Sequence, residues 1–178
     1  MNKKYKIRSI LNWVIFIKKV IVVLSLLALI YLNINKEEII IPNDSIRFRI
    51  IANSNNIEDQ LTKQRIKEDI IKQILPEIVK NPDIDTSIKT NIPAIKKILN
   101  TYKVPYDISY GDNYFPGKTY KGINYPAGYY NSLVITLGQG LGENFWCVMY
   151  PPLCLIEDNK TDNIEYKLYI KEVLSKYE

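Results

Sequence analysis

Cys147 and Cys154 are the only thiols in a 178-residue chain that contains no histidine at all. They lie in Phe145-Trp-Cys-Val-Met-Tyr-Pro-Pro-Leu-Cys-Leu155, separated by a stretch that holds Pro151 and Pro152. If the chain turns back at those prolines the sulfurs can meet, and outside the cytoplasm such a pair tends to be oxidised, so a disulfide is the leading reading. Two buried free thiols are the plainer alternative. A nucleophilic thiol would lack an imidazole to activate it. A redox carrier would need a reactive thiolate that this spacing does not advertise, and two cysteines without histidine cannot close a tetrahedral zinc site within one chain.

The missing histidines also remove the commonest general base near neutral pH. Carboxylates remain, among them Asp107, Asp112 and Glu143, and a pair of them could serve an exported hydrolase acting on the cell wall if they flanked a glycosidic bond. Nothing in their spacing shows that they converge. Gly138-Gln-Gly-Leu-Gly142 is glycine-rich enough for a phosphate cradle, but a cradle should open a helix. Here the glycines lie between the apolar strands Leu133 to Leu137 and Asn144 to Tyr150, which predicts a hairpin loop. No catalytic residue, cofactor, metal or small-molecule substrate is expected.

The formal charge of +5 would ordinarily point to an anionic partner. Its location argues otherwise. Residues 1–32 hold six of the 24 basic residues (Lys3, Lys4, Lys6, Arg8, Lys18, Lys19) and none of the 19 acidic ones, which leaves 18 basic against 19 acidic residues in the rest. A body near −1 lacks the net basic face that binding a run of phosphates requires, so nucleic acid is not an expected partner.

The basic cluster precedes an uncharged apolar run, Val20 to Leu32. This is the order of a signal peptide, and the positive-inside tendency places the remainder of the chain outside the cytoplasm. The run alone is shorter than the roughly 20 residues of a spanning helix. With Ile10 to Ile17 added, and Lys18 and Lys19 snorkelling, a membrane anchor also fits. No small-x-small pair comes after Leu32, so signal peptide and anchor both stay open. Residues 33–45 read as a linker and 46–178 as one domain of ordinary size.

Within that domain Ile46-Arg-Phe-Arg-Ile-Ile51 alternates, placing Ile46, Phe48 and Ile50 on one face of a strand and Arg47 and Arg49 on the other. The arginines read either as a recognition pair or, more simply, as the solvated face of a half-buried strand. Asn55 with Glu58 has the form of a helix cap, with Leu61, Ile66, Ile70, Ile74 and Ile78 after it at helical spacing up to an interruption at Pro76. Ile88 to Leu99 repeats the pattern behind Asp85-Thr-Ser87, with Pro93 inside it. From Tyr102 the composition turns to strands and turns, with strands expected at 104–110 and 133–137 and turns at Gly111-Asp112, Pro116-Gly117 and Pro126-Ala-Gly128. Beyond the polar stretch Glu157 to Asn163, Ile164 to Tyr177 fits a closing helix. The sum is an α+β fold: a small, mainly antiparallel sheet with about three helices, behind an N-terminal hydrophobic helix.

Five segments then carry a likeness: Ile46-Arg-Phe-Arg-Ile-Ile-Ala-Asn-Ser54 with Glu58-Asp-Gln60, Phe115-Pro-Gly-Lys-Thr-Tyr120, Pro126-Ala-Gly128, Trp146-Cys-Val148, and Pro151-Pro-Leu-Cys154. In this order and with these gaps, over roughly residues 46 to 156, the chain resembles the stage II sporulation protein R family of endospore-forming Firmicutes. It departs at Phe145, where the family pattern has a second Trp, and at Tyr129 and Asn131, where it has Glu. The resemblance implies a signal made in the forespore and exported into the space between forespore and mother cell. There it would activate, by contact, a membrane-embedded aspartic protease that processes a sporulation sigma factor precursor. For the contact surface the expected residues are Tyr114, Phe115, Tyr129, Tyr130, Phe145 and Trp146, because aromatic side chains dominate interface energetics, although core packing is the commoner fate of any one of them.

Overall fold

The alternation at residues 46–51 does build a strand, β2 (Ile46–Ile51), and that strand becomes part of the interior of a four-stranded sheet. In this computed structural model the described residues are 3–34, 39–121, 123–155 and 163–176. They form an α+β protein that divides into two units, Met1–Glu38 and Ile39–Glu178.

The first unit is one helix, α1 (Lys3–Ile34), which runs without a break through Lys18 and Lys19. Its stretch Asn12–Tyr31 is long and apolar enough to cross a membrane, a test that a signal sequence also passes. Trp13, Ile15, Ile21 and Val23 are all exposed and lie on different sides of the helix, so its apolar surface runs all round. The helix continues through Lys18 and Lys19, and signal peptide and membrane anchor both still fit it.

The second unit begins at β1 (Ile39–Ile40), inside the stretch expected to be linker, because Ile39 and Ile41 are buried. Two long helices come after β2, with a short one between them. The first, α2 (Ile57–Gln73), is capped by Asn56, whose side chain accepts from the Asp59 amide; the expected cap, Asn55, sits one residue early and does other work. Pro76 ends the run as expected and starts the short α3 (Leu75–Val79) at its N-terminus. The second long helix, α4 (Ile84–Thr101), starts earlier than its periodicity suggested, because Asp83 and not residues 85–87 supplies the cap. Pro93 lies inside it. The buried Ile88, Ile95 and Leu99 on either side hold the helix through that point despite the backbone bond that proline cannot make.

The remaining strands are β3 (Tyr106–Phe115), β4 (Lys118–Tyr120), β5 (Ile123–Tyr125), β6 (Gly128–Leu137) and β7 (Asn144–Tyr150). Gly111-Asp112 is not a turn: β3 pairs with β6 without interruption from Tyr106↔Leu137 to Phe115↔Gly128, and Gly111, at φ +149°, lies inside it. As an edge strand, β3 tolerates a glycine there. The large sheet has the order β3-β6-β2-β7, with β6 parallel and β7 antiparallel to β2; β1, β5 and β4 make a second, three-stranded sheet. Among the described residues three of the five strand pairings are antiparallel.

One face of the large sheet packs on α2, α3 and α4 through Phe48, Ile50, Ile66, Ile70, Ile88, Ile95, Leu99, Leu133 and Ile135. Each such fully buried side chain contributes about 1.5–3 kcal/mol. The opposite face meets a smaller cluster in which Val148 packs with Ile39, Ile41, Ile123 and Leu153, closed by Tyr166 and Ile170 of α5 (Asn163–Leu174). The polar stretch expected at residues 157–163 lies outside the described residues except for Asn163. Arg47 does not face solvent, since it is buried against the Phe115 and Tyr130 rings.

The loop at 138–142 is not a hairpin either. It carries the chain from β6 to β7 across the end of β2, and it is stitched to the loop that leaves β2. The Leu141 and Gly142 amides donate to the Asn53 and Ala52 carbonyls, at 3.0 and 2.9 Å. Asn53 accepts from the Gln139 amide (2.9 Å) and donates to Asp59 (2.8 Å). Asn55 accepts from the Glu143 amide (2.6 Å), and Ser54 donates to Asp59 (2.6 Å). Lys63, buried, donates to the Glu143 carbonyl (2.8 Å) and to Gln60 (2.6 Å). The glycines are needed here for close approach: a Cβ on Gly142 would collide with the Ser54 carbonyl, and one on Gly138, at φ +53°, with the Asn53 side chain.

The Ser54 hydroxyl and then the Asn53 amide hold the Asp59 carboxyl below its usual pKa. A depressed carboxylate stabilises the fold above its unfolded pKa of about 4 and loses that contribution as pH falls through its native value. Asn53→Ala, which strands two partners, is expected to cost about 1–3 kcal/mol in urea unfolding at pH 7. Asp59→Asn should be less stable than wild type at pH 7, and the gap should close as the pH is taken below about 4. A gap independent of pH would show that the carboxylate charge is not what the loop uses.

Candidate interaction surface

Cross-strand pairing decides where the aromatic residues go. The β2–β6 ladder ends at Arg47↔Ser132, whereas the β3–β6 ladder continues for four further pairs to Phe115↔Gly128. That end of the ribbon extends past the central strand. Alternation then splits it into two faces.

On the face that carries the helices, Tyr114 and Tyr129 are directly opposite one another, edge to face with centroids 5.6 Å apart. They are 53% and 75% exposed. The helical layer stops just short of them. Asp85, in the first turn of α4, accepts from the Tyr110 hydroxyl (2.9 Å) and from Asn131 (3.3 Å), and is ion-paired with Lys89. Asn131 also donates to the Tyr110 hydroxyl at 3.0 Å. Lys89, then the Tyr110 hydroxyl, hold the Asp85 carboxyl below its usual range, while burial, then Asp85, push the Tyr110 phenol up. This knot fixes the ribbon to α4 and leaves the next row outward, Tyr114 and Tyr129, uncovered.

The other four expected residues are differently placed. Phe115 and Tyr130 point to the opposite face, 2% and 3% exposed, with centroids 6.1 Å apart. They are core and cannot meet a partner directly. Phe145 and Trp146 are neighbours on β7, so they too face opposite ways. Phe145 packs edge-on against Phe48 at 6.0 Å under the Lys67 ammonium, and Trp146 lies edge-on to Phe115 at 5.2 Å with the Arg49 guanidinium 4.4 Å from its ring centre. The structure therefore brings Tyr114 and Tyr129 together as a surface and uses the others wholly or partly for packing.

Cys147 and Cys154 come together where the chain turns at Pro151 and Pro152, with Cα atoms 5.6 Å apart, within the reach of a disulfide. The carboxylates stay apart. Asp107 and Asp112 lie on opposite faces of β3, and Glu143 precedes β7 at the far edge of the sheet, about 14 Å from β3 by strand spacing. Sequence reasoning missed the two knots, Asn53–Asp59 and Asp85–Tyr110–Asn131. The one signal for the first is the polar run Asn53-Ser-Asn-Asn56, which in isolation reads only as a strand breaker and cap.

If Tyr114 and Tyr129 are surface and Phe115 is core, truncation should separate them. Tyr114→Ala and Tyr129→Ala are each expected to change the urea unfolding free energy by about 0.5 kcal/mol or less, and Phe115→Ala to lower it by about 3–5 kcal/mol. Equal losses would show that the tyrosine pair is part of the fold.

Comparison with known proteins agrees with this body. No solved structure matches the chain significantly. The model of the family "Stage II sporulation protein R" matches residues 42–160. Stage II sporulation protein R of Bacillus subtilis (strain 168) is 34% identical over 130 residues, a stretch that covers 68% of this chain and 58% of the relative. The matched stretch runs from just before β2 to just past the second cysteine, and so contains the whole large sheet, the loop stitch and the tyrosine pair. The chain belongs to the stage II sporulation protein R family.

Proposed function

We propose that this chain is an exported, non-enzymatic sporulation signal that works by surface contact outside the cytoplasmic membrane. Family membership supports the part in sporulation. The apolar helix α1, which suits a signal or a membrane anchor, supports the export. The observation that carries the contact reading is the uncovered Tyr114–Tyr129 pair on the projecting β3–β6 ribbon. Exposed aromatics bring large contact area with little side-chain entropy to lose, and their hydroxyls stay satisfied when covered.

The partner in this reading is a membrane-embedded aspartic protease of the mother cell, met in the space between forespore and mother cell. The domain would bind the active arrangement of that protease more tightly than the inactive one and so shift its population, after which the protease processes the sigma factor precursor. A ligand of this kind needs a stable, specific surface and no chemistry of its own. A disulfide between Cys147 and Cys154 suits that oxidising compartment and would fasten the end of β7 to the turn beyond it.

Two experiments test this. Purified protein added to membranes that carry the protease and the unprocessed precursor should trigger processing, and Tyr114→Ala/Tyr129→Ala should reduce the rate about tenfold or more. Failure of the wild-type protein under conditions where an authentic activator works, or a fully active double variant, would contradict the reading. Separately, alkylation of the exported protein should label neither cysteine until a reductant is added, as read by intact mass; labelling without reductant would remove the disulfide.

A further inference from the structure

Among the described residues, the face of the large sheet that turns away from the helices is covered over only part of its length. Toward the start of β2 it is closed by β1, β5 and α5, through the cluster around Val148. Toward the other end, Arg49, Ile51, Trp146 and Thr136 are half-buried and Asp107 and Ser109 exposed. Arg47 sits under the covered part and Arg49 at its margin, two residues apart on one strand and on one side of it, roughly 7 Å by strand rise.

Among the described residues neither guanidinium has a carboxylate partner. Arg47 is 3% exposed, yet its Nε and Nη2 atoms have no hydrogen-bond partner there, and Nε of Arg49 is also buried and unpartnered. Their surroundings are aromatic. The Arg47 guanidinium carbon stands 3.4 Å from the Tyr130 ring centre and 5.6 Å from that of Phe115, while Arg49 stacks on Trp146. Burial pulls both pKa values below the usual arginine value, and the charges persist because guanidinium is not deprotonated in proteins. Asp107, the exposed acid on this face, lies two strands away from β2.

A buried cation and a half-buried one, both against aromatic rings and with idle donors, are costly to build if packing is their only use, since apolar side chains of similar volume would pack without that penalty. They are well prepared to receive an anion. The stacked rings hold the guanidinium planes still, and a carboxylate that arrives there makes charge-assisted hydrogen bonds in a low-dielectric site. The body's near-neutral total charge makes this a local feature and not part of a broad basic field.

We propose that the open end of this face is a binding site for an acidic segment of a partner protein. Arg49 takes the carboxylate directly, with Trp146 as the wall beside it, and Arg47 is the buried second charge that deepens the potential. The site is separate from the tyrosine pair, which lies on the other face, and does not depend on the partner being a protease.

The test uses the full chain in a non-ionic detergent and fluorescence anisotropy of labelled hexaglutamate, with labelled hexaglutamine and inorganic phosphate as comparisons. Saturable binding of hexaglutamate and none of hexaglutamine is expected. Arg49→Met should weaken it about tenfold or more, Arg47→Lys by less, and Lys118→Met, which removes a charge from the small sheet, should leave it unchanged. Thermal unfolding of each variant shows whether it is folded, and Arg49→Lys, which keeps charge but loses the planar fork, should bind with intermediate affinity. Equal binding of hexaglutamine, no binding of hexaglutamate, an unaffected Arg49→Met variant, or a Lys118→Met loss as large as that of Arg49→Met would overturn the proposal. So would displacement of the peptide by phosphate at equal concentration, which would assign the pair to a small anion.

Discussion

The crossing of two loops over the end of β2 is the constraint on which the sheet depends. A central strand with a parallel neighbour on one side and an antiparallel neighbour on the other requires the chain to pass from β6 to β7 over the strand that lies between them. That passage exposes backbone amides at 139, 141, 142 and 143, each of which needs an acceptor. The loop after β2 provides all four, two from its backbone and two from the side chains of Asn53 and Asn55. Asp59 then ties Asn53 and Ser54 to the first turn of α2, and Lys63 returns from the same helix to the Glu143 carbonyl. One polar knot thus sets the order of three strands and the direction in which α2 leaves the sheet. Burial of Phe48 and Ile50 contributes the bulk of the energy, but it would be served by other strand orders too.

The consequences reach the opposite end of the sheet. Because β6 is held beside β2 in this register, its first residues overhang with β3, and alternation divides the overhang into an outer and an inner aromatic pair. Tyr114 and Tyr129 are left bare since α4 stops at the Asp85 knot; Phe115 and Tyr130 close over Arg47. The same ribbon therefore makes a candidate contact surface on one side and lines, on the other, a pair of arginines without a carboxylate partner among the described residues. Both are candidate binding features, and neither uses acid–base chemistry.

Much of this is legible in the sequence where one element explains itself. The period of α2, its end at Pro76, the apolar face of β2 and the closing helix α5 follow from spacing alone, and the family likeness follows from five ordered segments. The failures share a cause, since most depend on residues distant in sequence. Arg47 looks solvated because nothing near it in the chain reveals that Phe115 and Tyr130 cover it. Gly138 to Gly142 looks like a hairpin because a crossover and a hairpin use the same glycines, and only the partner loop distinguishes them. The helix caps fall one to four residues from where residue type puts them, because several Asn, Asp, Ser and Thr side chains compete there and geometry selects Asn56 and Asp83. Of the six aromatic candidates, residue type cannot separate surface from core; strand parity can, once the register is known.

The central claim, that this protein acts through the bare end of the β3–β6 ribbon, is tested most directly by photocrosslinking in sporulating cells with a benzophenone amino acid in place of Tyr129. The account expects one dominant adduct with a mother-cell membrane protein, lost when the photoreactive residue is moved to Lys97 on α4. No adduct from position 129 in cells that sporulate normally, or the same adduct from both positions, would contradict it.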